Sequence, residues 1–131
     1  MDERLIAAAR AAAENAHAPY SGFKVGAALV SDDGALTVGC NLECSSFGAT
    51  ICAERAALAA AIAQGKRSFS AIAVWTDTDE PTPPCGICRQ MLADFSPTMK
   101  VICACRRDAP LITTIAELLP HTFGPANLGR P

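Results

Sequence analysis

The sequence predicts an α/β fold in which helices cover both faces of a mixed β-sheet. Three observations lead to this prediction. Half of the 131 residues are apolar and 18% are charged, which suits one compact domain with a buried core over residues 1–131. Two short apolar runs early in the chain flank a turn sequence, as in a β-hairpin. Two strand–helix–strand units follow the hairpin, and such units place helices on both faces of a sheet.

The N-terminal half begins with a helix predicted over residues 2–17. Leucine, isoleucine and alanine residues stand there among charged ones, and the pattern stops before Pro19. Strands are predicted over residues 24–30 and 35–41. These two apolar runs flank Ser-Asp-Asp-Gly, a turn sequence in which Gly34 can take a positive φ angle.

A second helix is predicted over residues 52–65, where Gly65 suits the position just after a helix end. Residues 56–63 are apolar around the whole helix. This indicates burial on several sides, by its own sheet or by another subunit. The later predicted elements are a strand at 70–76, a helix at 85–96, a strand at 100–104 and a short helix at 114–119.

Charge and hydropathy argue against several classes of protein. Eleven basic against thirteen acidic residues give a formal net charge of −2, so no basic excess is present for nucleic acid. The longest apolar run, residues 56–63, is much shorter than the roughly twenty residues of a membrane-spanning helix, and no membrane association is expected. The N-terminal Met-Asp-Glu-Arg is unlike a secretory signal, so a cytoplasmic location is expected.

Seven cysteines, an odd number, are more typical of metal ligands, reactive thiols or core residues than of disulfides in a reducing compartment. Cys85 and Cys88 lie in the first turn of one predicted helix, where residues three apart share a face. Cys52 begins another helix. If both helices start at the same end of the sheet, the three thiols converge, and the helix N-termini favour their thiolate forms. Three protein ligands leave tetrahedral zinc one open position, as in catalytic zinc sites.

Glu54 lies two residues after Cys52, near the expected metal but not needed as a ligand. A carboxylate at that position can take a proton from the attacking water and pass it on as a general acid/base. The zinc-dependent nucleobase deaminases have a known signature. It consists of a metal ligand, any residue and glutamate, followed later in the chain by Pro-Cys-x-x-Cys. The pattern therefore predicts a hydrolytic deaminase.

Other interpretations of the cysteines stay open at this point. Alone, the Cys85 and Cys88 pair also fits a redox motif or half of a structural zinc ribbon. Cys40, Cys103 and Cys105 form no second Cys-x-x-Cys pair. They are interpreted as core or surface strand residues, with Cys103 and Cys105 alternating along one strand. Both histidines are interpreted as surface or cap residues.

Five segments in order resemble the motifs of the cytidine deaminase family, in its small, homotetrameric, three-cysteine branch. They are PYSGFKVGAAL at 19–29, GCNLE at 39–43, CAER at 52–55, PCGICRQ at 84–90, and ELLP at 117–120 with Phe123. The resemblance covers nearly the whole chain. It implies a three-layer α/β/α sandwich on a mixed five-stranded sheet, and a homotetramer whose active sites are shared between subunits.

The resemblance implies how the metal is held. Cys52, Cys85 and Cys88 would bind one zinc ion per chain, and Glu54 would move the proton. Arg55 would donate hydrogen bonds to the ligand thiolates. Three thiolates give Zn²⁺ an excess negative charge, and a nearby guanidinium offsets part of it.

The resemblance also implies substrate contacts. Asn41 and Glu43 would hydrogen-bond the ribose hydroxyls, and Phe23 would pack against the pyrimidine. The backbone of Ala53 would lie near the amide edge of the base. Phe123 would stack on the base bound to a neighbouring subunit.

The activity implied is zinc-dependent conversion of cytidine or deoxycytidine to uridine or deoxyuridine and ammonia, in pyrimidine salvage. The family usually has asparagine and tyrosine where this chain has Cys44 and Phe47, which leaves the exact nucleoside open. One alternative is a deaminase of another cytosine-bearing nucleoside or aminated heterocycle. A non-catalytic zinc-binding module of the same fold is the other, although a structural site has no use for Glu54.

Overall fold

A computed structural model describes residues 1–130 of the chain. Its strands are β1 (Val25–Ser31), β2 (Leu36–Cys40), β3 (Phe69–Thr76), β4 (Lys100–Ala104) and β5 (Leu111–Thr114). They form one five-stranded sheet in the order β2-β1-β3-β4-β5. Strands β3 and β4 pair in parallel and the other neighbours are antiparallel, so the sheet is mixed, as predicted.

Within residues 1–130, four α-helices accompany the sheet: α1 (Asp2–Ala13), α2 (Ala53–Ala63), α3 (Gly86–Phe95) and α4 (Ile115–Leu118). Helix α1 packs through Leu5, Ala9 and Ala13 against one face of the sheet. Helices α2 and α3 share the core of the opposite face with β1, β3 and β4. The prediction of helices on both faces is confirmed. No helix within residues 1–130 combines the length and the apolar character needed to cross a bilayer.

Two glycines allow close approach between helix and sheet. A Cβ atom on Gly26 in β1 would lie 1.8 Å from the carbonyl oxygen of Ala9 in α1. A Cβ atom on Gly39 in β2 would lie 2.5 Å from the backbone nitrogen of Ala57 and 2.7 Å from the oxygen of Ala53 in α2. Only glycine fits at these positions, and the contact at Gly39 holds the start of α2 against β2.

The direction of the strands brings two helix N-termini to one edge of the sheet. Strands β2 and β3 are both antiparallel to β1, so they run in the same direction. Helix α2 follows β2 and helix α3 follows β3. Both helices therefore begin at the carboxyl edge of the sheet, where functional residues gather in α/β proteins.

The first helix ends at Ala13, earlier than the predicted end at residue 17. The backbone N–H of His17 donates to the carbonyl of Asn41 (3.0 Å), and the His17 carbonyl accepts from the N–H of Glu43 (2.8 Å). These bonds replace helical ones and place residue 17 beside the segment after β2.

Strand β5 was missed by the residue pattern, which predicted only a helix over residues 114–119. The chain forms β5 and then α4, and the Thr114 side chain caps α4 by accepting from the N–H of Glu117 (3.2 Å). Four residues at a sheet edge, with Leu111 and Ile112 exposed, show no burial alternation that a pattern can detect. The fifth strand that the resemblance implied is confirmed.

Candidate active site

Three cysteine thiols meet where α2 and α3 begin. Cys52 and Cys85 are the N-cap residues of these helices, both with extended backbone, and Cys88 lies in the first turn of α3. The Sγ atoms of Cys52 and Cys85 are 3.8 Å apart, and those of Cys85 and Cys88 are 3.5 Å apart. The structure thus brings the three predicted ligands together.

The spacing of the sulfur atoms fits a zinc ion. Zn–S bonds of about 2.3 Å in tetrahedral geometry separate two sulfur atoms by about 3.8 Å. All three sulfurs lie within 4.8 Å of one another, and residues 1–130 contain no other such group of potential ligands. The set matches one zinc per chain with three protein ligands.

The thiols influence one another's ionisation. Hydrogen bonds from Cys88, Arg55 and Cys85 lower the pKa of Cys52 to about 5. The pKa of Cys88 is raised, because this thiol hydrogen-bonds to Cys52 and is buried. One thiolate therefore forms readily, but three adjacent thiolates repel one another unless a cation lies between them. The chemistry of the donor set favours a metal ion.

Arg55 supports this cluster from one side. Its Nη2 atom lies 3.6 Å from Cys52 Sγ and donates to the carbonyl of Thr50 at 3.2 Å. Its Nε atom is buried without a hydrogen-bond partner in the structure. The guanidinium places positive charge beside the thiolates, as the resemblance implied.

Glu54 lies beside the thiols and is only 4% exposed. Burial raises the pKa of its carboxyl, and the negative charge of Cys52 adds to this shift. A carboxyl with a raised pKa is suited to taking and returning a proton near neutral pH. The cavity next to it is lined by Phe23, Val25, Asn41, Thr50, Ile51, Cys52, Ala53, Val74, Thr76, Thr82, Pro83 and Cys85.

Asn41 and Phe23, two of the residues predicted to bind substrate, are joined by a hydrogen bond beside this cavity. Asn41 donates through Nδ2 to the carbonyl of Phe23 (2.7 Å) and accepts at Oδ1 from the N–H of Val25 (2.9 Å). These bonds hold the backbone on both sides of residue 24. The backbone at Phe23 is thereby held at the cavity wall, and Ala53 follows Cys52 in the first turn of α2.

Glu43 lies in a neighbouring cleft with Tyr20, Ser21, Phe47 and Thr50. Its carboxylate accepts from the backbone N–H groups of Tyr20 (2.9 Å) and Ser21 (3.0 Å), and from the Ser21 hydroxyl. The Ser21 hydroxyl is the main cause that lowers the pKa of Glu43. Thr50 lines both this cleft and the cavity, so the two spaces adjoin.

Phe123 is 60% exposed and lies away from the cavity of its own chain. Its carbonyl accepts a hydrogen bond of 2.7 Å from Nε2 of Gln90, on helix α3. Its ring borders a surface cleft with Asp94 and Leu128. Within one chain the ring does not reach the site.

Sequence reasoning missed several residues that shape the site. Thr76 ends β3 and Thr82 and Pro83 follow it in the next loop, and no motif marks them. Arg89 was quoted in a motif without a role. Its Nε donates to the carbonyl of Pro84 (2.7 Å) and its Nη1 to that of Leu118 (2.9 Å), which anchors the residue before ligand Cys85.

The remaining cysteines lie outside the thiol cluster. Cys103 is fully buried in β4, and burial raises its pKa to about 11. Strand β4 ends at Ala104, so the prediction that Cys103 and Cys105 alternate along one strand was wrong. Cys105 belongs to the next loop, because its thiol donates to the carbonyl of Asp79 at 3.3 Å.

Comparison with known proteins places this geometry in a family. Residues 1–105 match the family model described as the cytidine and deoxycytidylate deaminase zinc-binding region. A cytidine deaminase of Sporosarcina psychrophila is 46% identical over 127 residues, covering 96% of this chain and 93% of that protein. A cytidine deaminase of Halalkalibacterium halodurans is 46% identical over 92% of both chains.

Solved structures agree with the sequence comparison. The crystal structure of cytidine deaminase from Burkholderia pseudomallei superposes with a TM-score of 0.91 and 47% identity, covering 94% of this chain and 99% of that one. Cytidine deaminase from Mycobacterium tuberculosis superposes with a TM-score of 0.80 and 36% identity, covering 93% and 96%. The matches extend over the sheet, the helices and the thiol cluster, and the chain belongs to the cytidine and deoxycytidylate deaminase family.

Proposed function

We propose that the chain is a zinc-dependent hydrolase that converts cytidine to uridine and ammonia. The observation that carries this function is the meeting of three cysteine sulfurs and a buried glutamate, Glu54, at one cavity. A redox pair or a structural zinc ribbon would not need the carboxyl beside the metal. The similarity to proteins named cytidine deaminase, at 46% identity, points to the same substrate.

Cys52, Cys85 and Cys88 would hold the zinc ion. Bound there, zinc supplies a Lewis acid that lowers the pKa of water from 15.7 towards about 7. Arg55 reduces the excess negative charge of the thiolates, which preserves the Lewis acidity of the centre.

Glu54 carries the proton in this mechanism. Its carboxylate receives the proton that the attacking water loses and delivers it to N3 of the pyrimidine as the C4–O bond forms. The proton of the hydroxyl now bonded to C4 then passes through the same carboxyl to the C4 amino group. The C4–N bond breaks to release ammonia, and the C4 oxygen becomes the carbonyl of uridine. Burial keeps the carboxyl out of bulk water, so each proton returns to substrate instead of escaping to solvent.

The substrate would be a nucleoside, cytidine or deoxycytidine. Phe23 and Ala53 line the cavity. Phe23 would pack against the pyrimidine ring, and the backbone of Ala53 would lie near the amide edge of the base. Asn41 borders the cavity and Glu43 the adjoining cleft, where their oxygens can take hydrogen bonds from sugar hydroxyls. The uridine or deoxyuridine formed would serve pyrimidine salvage in the cytoplasm.

The functional unit would be a homotetramer of single-domain chains. Helix α2 leaves apolar side chains uncovered, since Ala59 and Ala63 are exposed and Ala56, Ala60 and Ile62 are half-buried. Alanine allows close helix packing, and a second copy would cover this face. Phe123, exposed on its own chain, would complete a neighbour's site.

A second candidate is a deaminase of another cytosine-bearing nucleoside. Phe47, 71% exposed, packs edge-to-face on Tyr20 with ring centroids 5.5 Å apart. This aromatic pair borders the cleft of Glu43, and Phe47 lacks the hydroxyl of the tyrosine that the family usually has there. Altered sugars with fewer hydroxyls would suit such a cleft.

A panel assay tests these functions. Zinc-loaded protein is incubated with cytidine, deoxycytidine, cytosine, a sugar-modified cytosine nucleoside and single-stranded DNA, and ammonia release is measured. We expect cytidine and deoxycytidine to be turned over and cytosine to be a poor substrate. Glu54→Gln protein serves as the inactive control. Absence of turnover on every nucleoside, with zinc bound, would contradict the function and favour a zinc-binding module.

A further inference from the structure

The loop after β3, residues 77–85, forms one wall of the cavity, and we call it the wall loop. Thr82 and Pro83 line the cavity, and Cys85 supplies a thiol. Residues 77–81 are not among the residues that line the cavity. Contacts to this outer half therefore reach a bound substrate indirectly, through lining residues such as Thr82 and Pro83.

A second loop, residues 105–108 after β4, is bonded to the outer half of the wall loop, and we call it the clamp loop. The N–H of Arg106 donates to the carbonyl of Thr78 (2.9 Å). The N–H of Asp108 donates to the carbonyl of Asp79 (3.2 Å), which also accepts from the Cys105 thiol (3.3 Å). Because β3 and β4 are parallel neighbours, the loops that follow them leave the sheet side by side.

The Arg106 side chain joins the two loops at two further points. Its Nε lies 3.2 Å from Oδ1 of Asp77, and its Nη2 lies 3.0 Å from Oδ1 of Asp79. Arg107 approaches Asp79 at 3.4 Å with a more exposed side chain. One exposed ion pair contributes little to stability, but a single guanidinium that binds two carboxylates restricts where the wall loop can go.

The wall loop transmits this restraint towards the cavity. The hydroxyl of Thr78 hydrogen-bonds to that of Thr76 (2.7 Å) and donates to the carbonyl of Glu80 (2.6 Å). Prolines at positions 81, 83 and 84 fix their φ angles. A displacement at Asp79 is therefore passed along a stiff segment to Thr82.

We propose that Arg106 is a positioning residue for the substrate: it holds the wall loop so that Thr82 and Pro83 close the cavity around the nucleoside. The inference rests on the proposed deaminase function. The metal ligand has a separate anchor, because Arg89 binds the carbonyl of Pro84. Arg106 should thus affect substrate binding and leave zinc binding and the chemical step unchanged.

Arg106→Gln tests the proposal, since it removes both ion pairs and keeps the backbone bond to Thr78. We expect KM for cytidine to rise about 2- to 30-fold. This factor corresponds to losing the free energy of two exposed ion pairs from substrate binding. We expect kcat to change less than about twofold and zinc to stay at one per chain. Arg106→Lys should recover part of the loss. Arg4→Gln, with the same change of charge on the exposed side of α1, is the matched control.

Salt provides a second readout. Cytidine is uncharged, so salt does not screen its own attraction to the protein. Between about 0.01 M and about 1 M salt the screening length falls from about 30 Å to about 3 Å. KM should rise with salt for the unmodified protein and for Arg4→Gln, and stay nearly constant for Arg106→Gln. A parallel salt dependence in all three would overturn the proposal.

Hydrogen exchange tests the restraint without any turnover. In zinc-loaded protein, Arg106→Gln should speed amide exchange in peptides covering residues 77–85 and leave α1 unchanged. Unchanged exchange in these peptides, or an unchanged KM, would overturn the proposal. Loss of zinc would also overturn it, because the clamp loop would then support the metal ligand Cys85 and not only the substrate. If Arg106→Gln does not fold, Asp79→Asn removes the carboxylate that both Arg106 and Arg107 approach. Should the protein not deaminate cytidine, the proposed function fails while exchange still decides the restraint.

Discussion

Asn41 holds Phe23 in place through the main chain: its Nδ2 atom donates to the Phe23 carbonyl at 2.7 Å. The Oδ1 atom of the same amide accepts from the N–H of Val25 at 2.9 Å. Asn41 is itself buried, so little water reaches its amide to compete for these bonds. A residue expected to bind the sugar is therefore also the support for the residue expected to bind the base.

Replacing this amide should weaken substrate binding more than the loss of one sugar contact. Asn41→Ala removes the partner of the Phe23 carbonyl and of the Val25 N–H, both in part-buried bonds. A typical hydrogen bond contributes about 0.5–1.5 kcal/mol, so the two together contribute about 1–3 kcal/mol. We expect KM to rise at least about tenfold for cytidine and deoxycytidine alike. Steady-state kinetics on both substrates, with exposed Asn15→Ala as control, measures this. An effect on cytidine alone would show that Asn41 acts only through the sugar.

Zinc content should separate the ligand cysteines from Cys103, which lies in strand β4. Cys85→Ser should lose most of the zinc, because a neutral hydroxyl replaces one of three thiolates. Cys103→Ala should keep one zinc per chain, since its thiol lies in β4 outside the cluster. Metal analysis after dialysis measures both variants. Equal loss in the two would show that the cluster is not the zinc site.

Glu54→Gln should keep the fold and the zinc and lose nearly all turnover. The amide matches the carboxyl in size but cannot carry a proton, and general acid/base catalysis contributes roughly 10²–10⁴-fold. We expect kcat to fall by that factor while the uridine product still binds. A variant that keeps more than about a tenth of the rate would remove Glu54 from the proton path.

Gly39→Ala should destabilise the start of α2. Its Cβ would lie 2.5 Å from the backbone of Ala57, and backbone atoms cannot move aside as a flexible side chain can. Overpacking of this kind costs about 1–3 kcal/mol. Thermal unfolding should show a lower Tm, and metal analysis should show weaker zinc retention, because ligand Cys52 is the N-cap residue of the displaced helix. Gly48→Ala, whose Cβ meets nothing within 4 Å, should leave both unchanged.

Subunit mixing tests the shared active site. Phe123→Ala and Glu54→Gln chains should each form a nearly inactive protein. Co-assembled, they should regain part of the activity, because some sites would combine an intact Glu54 with the Phe123 of a neighbour. Light scattering provides the assembly state. A mass near 13.6 kDa in an active preparation would rule out the shared site.

The sequence by itself determined the chemistry and most of the elements. The sequence places Cys52 and the Cys85/Cys88 pair at helix starts, because helix starts and i, i+3 pairs are local properties. It predicts a three-thiolate site on the condition that the two helix starts meet. The predicted strand at residues 100–104 coincides with β4, and both ligand helices begin within one residue of prediction. These features depend on neighbours along the chain.

Only the tertiary structure decided which residues surround that site. The positions of Glu43 in an adjoining cleft and of Arg106 across the wall loop depend on loops that meet at the sheet edge. The short edge strand β5 forms because β4 offers it a hydrogen-bonding partner, and its own four residues carry little signal. Contacts between segments far apart in sequence have no local periodicity, so they emerge only when the strand order and direction are known.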